Sequence, residues 1–466
     1  MTLATVPRYD GDRIASRKGH AVVIGASMAG LFTTRVLADA FDEVTVIERD
    51  QLTAEIETRP GVPQGKHVHV LLEGGRATIE DLFPGFCDEL LDAGGVIANG
   101  EEFKVFVQGD TLVTTDRQSL HLSTRALYEH LVRRHVDSFD NVSLRSPCRF
   151  VDYVANEDAT AVKGVVIRNK HSEREILAAD LVVDATGRTS RTPAWLEKRG
   201  YDPPPLEEVT IDIGYASTFI ERPADDHLGI SMEAETPRTR GAFVFPVEGN
   251  RWLLNLHGVH GDYPPTDPEG FREFSTSLPT TTVTDLLDEH PMTDENIAFY
   301  PFRSNRRYRY EALERFPEGL IVIGDAIASF NPVNGQGMSV AALEALALHH
   351  VLAGGERDGM AHRFFEAASD VVDIAWDLTI GADLEFPQTE GSLPRRTAIF
   401  DWYLNRLTRR AHTDVWLSNR MWTVFMLEQP PSVLFRPRVI WRVLGPARRP
   451  RREKSSQGEP PRDRPP

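Results

Sequence analysis

Short apolar runs and a helical periodicity alternate near the start of the chain. Residues 21–24 are apolar and stop at Gly25, residues 28–40 place apolar side chains at helical spacing, and residues 44–47 are β-branched. A short apolar run bounded by glycine is typical of a buried strand, and the spacing of the middle segment is typical of a helix. The pattern therefore predicts a strand, a tight glycine turn, a helix and a second strand, which together form a parallel βαβ unit.

The pattern changes further along the chain. Residues 142–176 read as a run of strands, and residues 206–316 alternate with period two without long helical segments, which predicts an antiparallel sheet. Residues 319–325 again read as a buried strand that ends in an acid, and residues 338–352 follow as a helix. Beyond residue 355 the spacing is helical and aromatic residues are frequent. The sequence thus predicts an α/β fold with an inserted antiparallel sheet and a helical C-terminal region.

The turn after the first strand has the spacing Gly25-x-Ser27-x-x-Gly30. A first glycine permits the sharp exit from the strand, and a last glycine lets the helix pack closely on the sheet. Ser27 carries a Cβ where backbone approaches a pyrophosphate, although its hydroxyl can donate to phosphate. Glu48 ends the second strand, where a carboxylate accepts from an adenosine ribose and disfavours the 2′-phosphate of NADP. These residues predict a site for FAD or NAD.

Composition narrows the function classes. The chain has 466 residues, room for two or three domains, and a formal net charge of −17, which argues against a nucleic-acid partner. Cys87 and Cys148 have no CxxC spacing, so we expect neither a disulfide framework nor a zinc site, and they fit a cytoplasmic protein. His67 and His69 lack metal-ligand partners at suitable spacing, and we expect no metal. No apolar run is long enough to cross a membrane, although the arginine-rich C-terminal end could contact an anionic membrane surface.

Four motifs carry a family resemblance: GASMAG at 25–30, Glu48, DATG at 184–187 and GDAIASFNPVNGQGMS at 324–339. With them, roughly residues 20–355 resemble the FAD-dependent monooxygenases of the p-hydroxybenzoate hydroxylase type. RPGVPQGKHVHVLLEGG at 59–75 and STRALYEHL at 123–131 are most similar to the bacterial flavoprotein epoxidases of polyether biosynthesis and, more distantly, to squalene epoxidase. The resemblance implies bound FAD and a Rossmann-like FAD-binding domain of the glutathione reductase type.

The resemblance also implies a role for individual residues. The FAD pyrophosphate would meet the first glycine turn, the adenosine end would meet the end of the second strand, Arg125 would reach the ribityl–phosphate region, and Asp325 would hold the ribityl hydroxyls. The flavin pyrimidine edge would meet backbone N–H groups at the start of the last helix of the motif, where a helix N-terminus stabilises negative charge. The predicted FAD contacts are Gly25, Ser27, Met28, Ala29, Gly30, Glu48, Arg49, Arg125, Gly187, Gly324, Asp325, Gly335, Gln336, Gly337 and Met338.

The reaction implied is insertion of one oxygen atom from O2 through a flavin C4a-hydroperoxide, epoxidising or hydroxylating a lipophilic polyketide or terpenoid of secondary metabolism. Such chemistry requires no protein nucleophile, and we identify no catalytic side chain; His69 and Arg303 are candidates for lining the flavin. Pro193 stands where the hydroxylase signature has an arginine that helps handle NADPH. Electrons would therefore come from NAD(P)H directly or from a separate flavin reductase.

Three alternatives remain open. A geranylgeranyl-reductase-like enzyme would reduce prenyl double bonds. Residues 241–246 are weakly similar to the Y-x-W-x-F-P segment of that type but lack its tyrosine and tryptophan. The W-x-W-x-I-P segment of flavin halogenases is not found in the sequence. Prenyl-binding escort proteins use the same fold without flavin, which the intact glycine turns disfavour. The predicted segments are a disordered leader at 1–19, an FAD-binding domain at 20–205 and 317–370, an antiparallel-sheet substrate domain at 206–316, a C-terminal helical region at 371–449 and a disordered tail at 450–466.

Overall fold

The computed structural model describes residues 1–14, 16, 18–115, 118–293, 296–391 and 397–445, so the tail predicted at 450–466 lies outside the described residues. The α-helices are α1 Met28–Ala40, α2 Glu73–Leu82, α3 Phe86–Asp92, α4 Arg125–Asp137, α5 Thr192–Lys198, α6 Pro268–Ser275, α7 Thr282–Glu289, α8 Gly337–Ala353, α9 Met360–Asp383, α10 Thr397–Ala411, α11 Val415–Phe425 and α12 Pro437–Leu444. The strands are β1 His20–Ile24, β2 Glu43–Ile47, β3 Val96–Ala98, β4 Phe103–Val107, β5 Asp110–Thr111, β6 Leu120–Leu122, β7 Val142–Arg145, β8 Arg149–Ala155, β9 Val162–Arg168, β10 Arg174–Ala178, β11 Leu181–Asp184, β12 Leu206–Glu221, β13 Gly229–Met232, β14 Arg240–Val247, β15 Arg251–Val259, β16 Ala298–Tyr308, β17 Leu320–Val322 and β18 Ala328–Ser329.

A five-stranded sheet in the order β17-β11-β1-β2-β7 forms the centre of the nucleotide-binding part. All four pairings are parallel, as predicted for the βαβ unit. Strands β11 and β17 are buried along their whole length, with β9 in contact with β11 and α9 in contact with β17. Parallel strands that are covered on both faces are apolar throughout, and β11 and β17 show such continuous apolar runs in the sequence. The predicted α/β fold class is confirmed.

An eight-stranded sheet in the order β18-β16-β12-β15-β14-β13-β4-β5 forms the second layer. Its long central strands pair antiparallel, as the period-two alternation predicts, whereas β13 and β4 run parallel. Three of its strands, β4, β5 and β18, come from outside residues 206–316. The sequence did not assign them to this sheet, because local sequence does not identify the partner with which a strand pairs. The domain boundaries themselves stay predictions.

The two ends of the described chain pack on this body. Residues 1–14 lie against it, with the Leu3 N–H donating to the Leu427 carbonyl at 3.2 Å and Arg8 paired with Asp81, where the sequence predicted a disordered leader. The Ala4 N–H likewise donates to the Glu428 carbonyl at 3.0 Å, so backbone hydrogen bonds hold this segment beside the chain that follows α11. Within the described residues, no helix is both long and apolar enough to cross a bilayer. Contact of the C-terminal region with a membrane surface stays a prediction.

Candidate functional site

A cavity of about 380 Å³ lies where the carboxyl ends of β1 and β11 meet the first turns of α1 and α8. Ligands of open α/β sheets bind at this edge, beyond the carboxyl ends of the strands. Of the predicted FAD contacts, the cavity is lined by Ser27, Met28, Ala29, Arg49, Arg125, Gly187, Asp325, Gly335, Gln336, Gly337 and Met338. The other four, Gly25, Gly30, Glu48 and Gly324, lie behind that lining. The structure thus brings together segments that are far apart in the sequence.

The first glycine turn is shaped by close backbone packing. Gly25 has a φ of +110°, and a Cβ built there would lie 2.6 Å from the Ala185 carbonyl oxygen. A Cβ on Gly30 would overlap the Gly25 carbonyl oxygen. Both positions are therefore restricted to glycine by the fold, and they act on a ligand only by shaping the turn. Ser27 caps α1 without a side-chain cap bond, and its hydroxyl instead accepts from Arg125 Nη2 at 2.8 Å.

A buried ion-pair cluster lies beneath this turn. Glu48 accepts from the Ala26 N–H at 2.9 Å, and its Oε2 lies 3.1 Å from Nη1 of Arg59. Arg59 also donates through Nε to Glu129 at 2.7 Å and through Nη2 to the Ala26 carbonyl at 3.1 Å. The sequence reasoning gave Arg59 and Glu129 no role, because an arginine before a Pro-Gly turn carries no local signal for a partner on a distant helix. Glu48 keeps a free acceptor direction on Oε1 beyond its bond from the Asp50 N–H.

Arg125 places a buried positive charge at the cavity. Its Nη2 contacts Glu129 at 3.0 Å, and its Nη1 is buried with no hydrogen-bond partner among the described residues. Burial lowers the pKa of Arg125, and the neighbouring Glu129 opposes that shift. An unpartnered guanidinium N–H in a cavity beside a helix N-terminus is suited to a phosphate oxygen.

The second glycine region forms the opposite wall. The Gly324 N–H donates to the buried Glu344 Oε2 at 2.7 Å, which fixes the turn that presents Asp325. Burial raises the pKa of Asp325, and no described residue donates a hydrogen bond to its carboxyl group. A Cβ on Gly337 would meet nothing closer than 3.9 Å, so this backbone is open to the cavity. The first N–H groups of α8 have no partner within the helix and are available to a ligand.

Histidine and arginine side chains complete the lining. His67 Nδ1 lies 2.8 Å from Ser217 Oγ, and burial lowers the pKa of His67 to about 4 and that of His69 to about 3, so both rings are neutral near pH 7. His69 lines the cavity as predicted. Arg303 does not: on β16 its side chain is exposed, because alternate residues of a strand face opposite sides and Phe302 takes the inner position. Arg188, which the sequence reasoning missed, lines the cavity and donates to Ser329 at 2.8 Å.

A second cavity of about 290 Å³ adjoins the first. Val70, Phe243 and Gln336 line both cavities, so the two spaces share a boundary. Its walls are mainly apolar and come from the eight-stranded sheet on one side and from α9, α10 and α11 on the other. Among the described residues, no group of three His, Cys, Asp or Glu side chains is arranged to hold a metal ion.

The lining of the first cavity fits FAD. A free guanidinium N–H stands at the glycine turn, an unpaired carboxyl group stands at the second turn, and an open glycine backbone begins α8. These are the groups required by a pyrophosphate, by ribityl hydroxyls and by the polar edge of a flavin. The alternative of an escort protein that carries no flavin is not supported by this lining.

Comparisons with known proteins agree with this assignment. Residues 18–379 match the family described as FAD binding domain. Protein Rv3254 of Mycobacterium tuberculosis is 32% identical over 450 residues, which cover 90% of this chain and 93% of that protein. The flavin-dependent brominase Bmp2 superposes with a TM-score of 0.63 at 14% identity, covering 89% of this chain and 97% of its own. The p-nitrophenol 4-monooxygenase PnpA from Pseudomonas putida superposes with a TM-score of 0.61 at 17% identity, covering 89% and 99%.

At such low identities the two structures establish the fold alone, while the family match spans most of the chain. The fold is therefore that of flavin-dependent oxidoreductases, and the predicted cofactor is confirmed. The chain belongs to the FAD binding domain family, and FAD is its cofactor.

Proposed function

We propose that the protein is an FAD-dependent monooxygenase that epoxidises or hydroxylates a lipophilic small molecule, such as a polyketide or terpenoid of secondary metabolism. The observation that carries this proposal is the apolar second cavity, which shares Val70, Phe243 and Gln336 with the FAD cavity. A lipophilic molecule there would lie next to the flavin and away from water. Such a pairing is what oxygen transfer to an electron-rich carbon–carbon double bond of a lipophilic substrate requires.

Different residues of the FAD cavity would bind different parts of the cofactor. Arg125 and Ser27 would hold the phosphates, Glu48 would accept from the adenosine ribose, and Asp325 would accept from the ribityl chain. The N-terminus of α8, beginning at Gly337, would stabilise negative charge on the reduced flavin. Bound FAD, once reduced, would supply the chemistry that activates O2. The lowered pKa values of His67 and His69 make both rings weak bases, which suits epoxidation of an alkene, a reaction that requires no strong base.

The electron donor is part of this proposal. Pro193, where the hydroxylase signature has an arginine, favours delivery of electrons or reduced flavin by a separate reductase over direct reduction by NADPH. The experiment is to compare the rate of flavin reduction by NADPH and NADH alone with the rate after addition of a purified flavin reductase. Fast reduction by either nucleotide alone would contradict a separate reductase.

The reaction itself is tested with ¹⁸O2. Holoenzyme is reduced with dithionite under argon and then mixed with ¹⁸O2 in the presence of squalene, geranylgeraniol or a terminal decenylamine, with bromide in the buffer. The proposal predicts a product that carries one ¹⁸O atom, and none from labelled water in a parallel reaction. A product that has gained two hydrogens would instead establish a reductase, and a brominated product would establish a halogenase.

A further inference from the structure

The charged side chains that line the second cavity are all acidic among the described residues. Its charged lining residues among the described part of the chain are Glu233, Glu235, Asp377 and Glu385, with no lysine, arginine or histidine. The neighbouring Arg238 is already engaged, because it pairs with Glu235 at 3.2 Å and donates to the Glu233 backbone carbonyl at 2.8 Å. A carboxylate or phosphate ligand would therefore meet acidic side chains in a lining that, within the described residues, contains no cation.

Glu233 differs from the other acids in having no partner for its carboxyl group. Glu235 accepts from the Gln108 and Gly109 N–H groups at 2.6 and 3.1 Å, and Glu385 accepts from Asn405 at 3.3 Å. No described residue donates to the carboxyl group of Glu233. Burial raises the pKa of Glu233 to about 7, and the nearby Asp383 and Glu235 add to the shift. An enclosed carboxylate without a donor is costly, and a ligand that brings a donor and a positive charge removes that cost.

The remaining lining determines the body of the ligand. Apolar side chains surround the acidic position, and they include Leu72, Phe103, Val105, Phe245, Met421 and Trp422. Burying hydrocarbon against such walls stabilises a complex in proportion to the apolar area removed from water. The ligand that satisfies both features has a long or bulky hydrocarbon body and one cationic group.

We propose that the second cavity binds a lipophilic amine, with the ammonium group on the Glu233 carboxylate and the hydrocarbon body along the apolar walls. The inference rests on the proposed function, in that this cavity is taken to hold the substrate of the flavin. An ammonium group offers three donors to the carboxylate, whereas an alcohol offers one donor without charge and a carboxylate offers repulsion. Glu233 is thereby the residue that selects the class of substrate.

The test is equilibrium binding to the oxidised holoenzyme, which requires no turnover. Decylamine, decanol and decanoate are titrated below their micelle concentrations at about pH 8, above the pKa of Glu233, and binding is followed by calorimetry. We expect decylamine to bind roughly ten-fold or more tightly than decanol, the size of a charge-assisted hydrogen bond, and decanoate to bind weakest. Glu233→Gln should remove this preference and leave decanol within about two-fold of its original affinity. Glu197→Gln on α5, an exposed residue, is the control for loss of one negative charge.

Equal affinities for the three probes, or an unchanged amine preference in Glu233→Gln, would overturn the proposal. Flavin content and the unfolding midpoint establish that the variants are folded, and Glu233→Lys gives a second test because it should shift the preference to decanoate. The outcome is separable from that of the monooxygenase proposal. An amine preference that depends on Glu233 supports the amine site even where no ¹⁸O enters any product. Conversely, ¹⁸O insertion without an amine preference supports the monooxygenase proposal and overturns the amine site.

Discussion

Arg59 lies against Glu48, with 3.1 Å between Nη1 and Oε2, beneath the turn that the FAD pyrophosphate would approach. The same guanidinium binds Glu129, so one buried cation serves two buried carboxylates. Removing it would deprive the buried Glu48 of this ion pair, whereas Glu129 would keep its contact with Arg125 at 3.0 Å. We therefore expect Arg59→Met to lower the free energy of unfolding of the apoprotein by roughly 3–5 kcal/mol, measured by denaturant titration.

The double variant Arg59→Met/Glu48→Gln tests the cause of that loss. Because it removes the charge of the carboxylate that loses its ion pair, it should be more stable than Arg59→Met alone. A single variant that unfolds at the same denaturant concentration as the native protein would show that the cluster contributes nothing to stability.

Arg125 should determine how tightly FAD is held. Its Nη1 has no hydrogen-bond partner in the described part of the chain, so the group is available to the cofactor without breaking an existing bond. Arg125→Leu should raise the Kd for FAD by about ten-fold or more, as loss of a charged hydrogen bond does. Equilibrium dialysis of the apoprotein measures this. Arg134→Gln, on the same helix but 61% exposed at its side chain, should leave FAD affinity unchanged; equal losses in both variants would contradict the assignment.

Two glycines of the cavity should respond in opposite ways. A Cβ on Gly30 overlaps the Gly25 carbonyl, so Gly30→Ala should lower the free energy of unfolding by roughly 1–3 kcal/mol, a typical cost of overpacking. A Cβ on Gly337 meets nothing within 3.9 Å, so Gly337→Ala should leave stability unchanged and weaken FAD binding, because the methyl group enters the space for the flavin edge. Thermal unfolding and FAD titration of both variants give the four values. Normal FAD binding by Gly337→Ala would contradict the placement of the flavin edge beside Gly337.

Asp325→Ala should weaken retention of FAD. The carboxyl group faces the cavity and has no donor among the described residues, so its removal deletes a contact with the cofactor without unpairing a protein group. FAD remaining after gel filtration measures the effect, and Asp202→Ala at an exposed position is the control. Full flavin content in Asp325→Ala would show that the second turn does not hold the cofactor.

Glu344 makes stability depend on pH. Burial raises its pKa to about 8, so the folded protein keeps a proton that the unfolded chain releases above about pH 4.5. Stability from this group is therefore present at low pH and is lost as pH rises from about 4.5 to about 8. Glu344→Gln stays neutral and can still accept from the Gly324 N–H, so it should be more stable than the native apoprotein by at least ~1 kcal/mol at pH 8.5 and similar at pH 5. Urea unfolding at the two pH values checks this, and an identical pH slope in both proteins would contradict it.

Local sequence was sufficient for the parts of the site that are built from one segment. The strand, glycine turn and helix at residues 20–40, and the strand and helix around Asp325, follow from apolar spacing and glycine position. Gly30 and Gly337 were both predicted as FAD contacts, and only the folded chain shows that a Cβ on Gly30 would meet the Gly25 carbonyl whereas a Cβ on Gly337 would meet open space. Arg59, Arg188 and Glu233 were missed for a related reason: each acquires its role from neighbours that only the folded chain provides.

The turn between β18 and α8 bounds both cavities, with Gln336 at the shared wall and its side chain held by a hydrogen bond from Thr379 at 3.1 Å. A ligand in either cavity therefore changes the surroundings of one and the same peptide segment. Thermodynamic linkage then requires that whatever factor a bound substrate applies to flavin affinity, bound flavin applies to substrate affinity. This turn of a few residues is thus the place where the affinities for two chemically unlike ligands would be coupled.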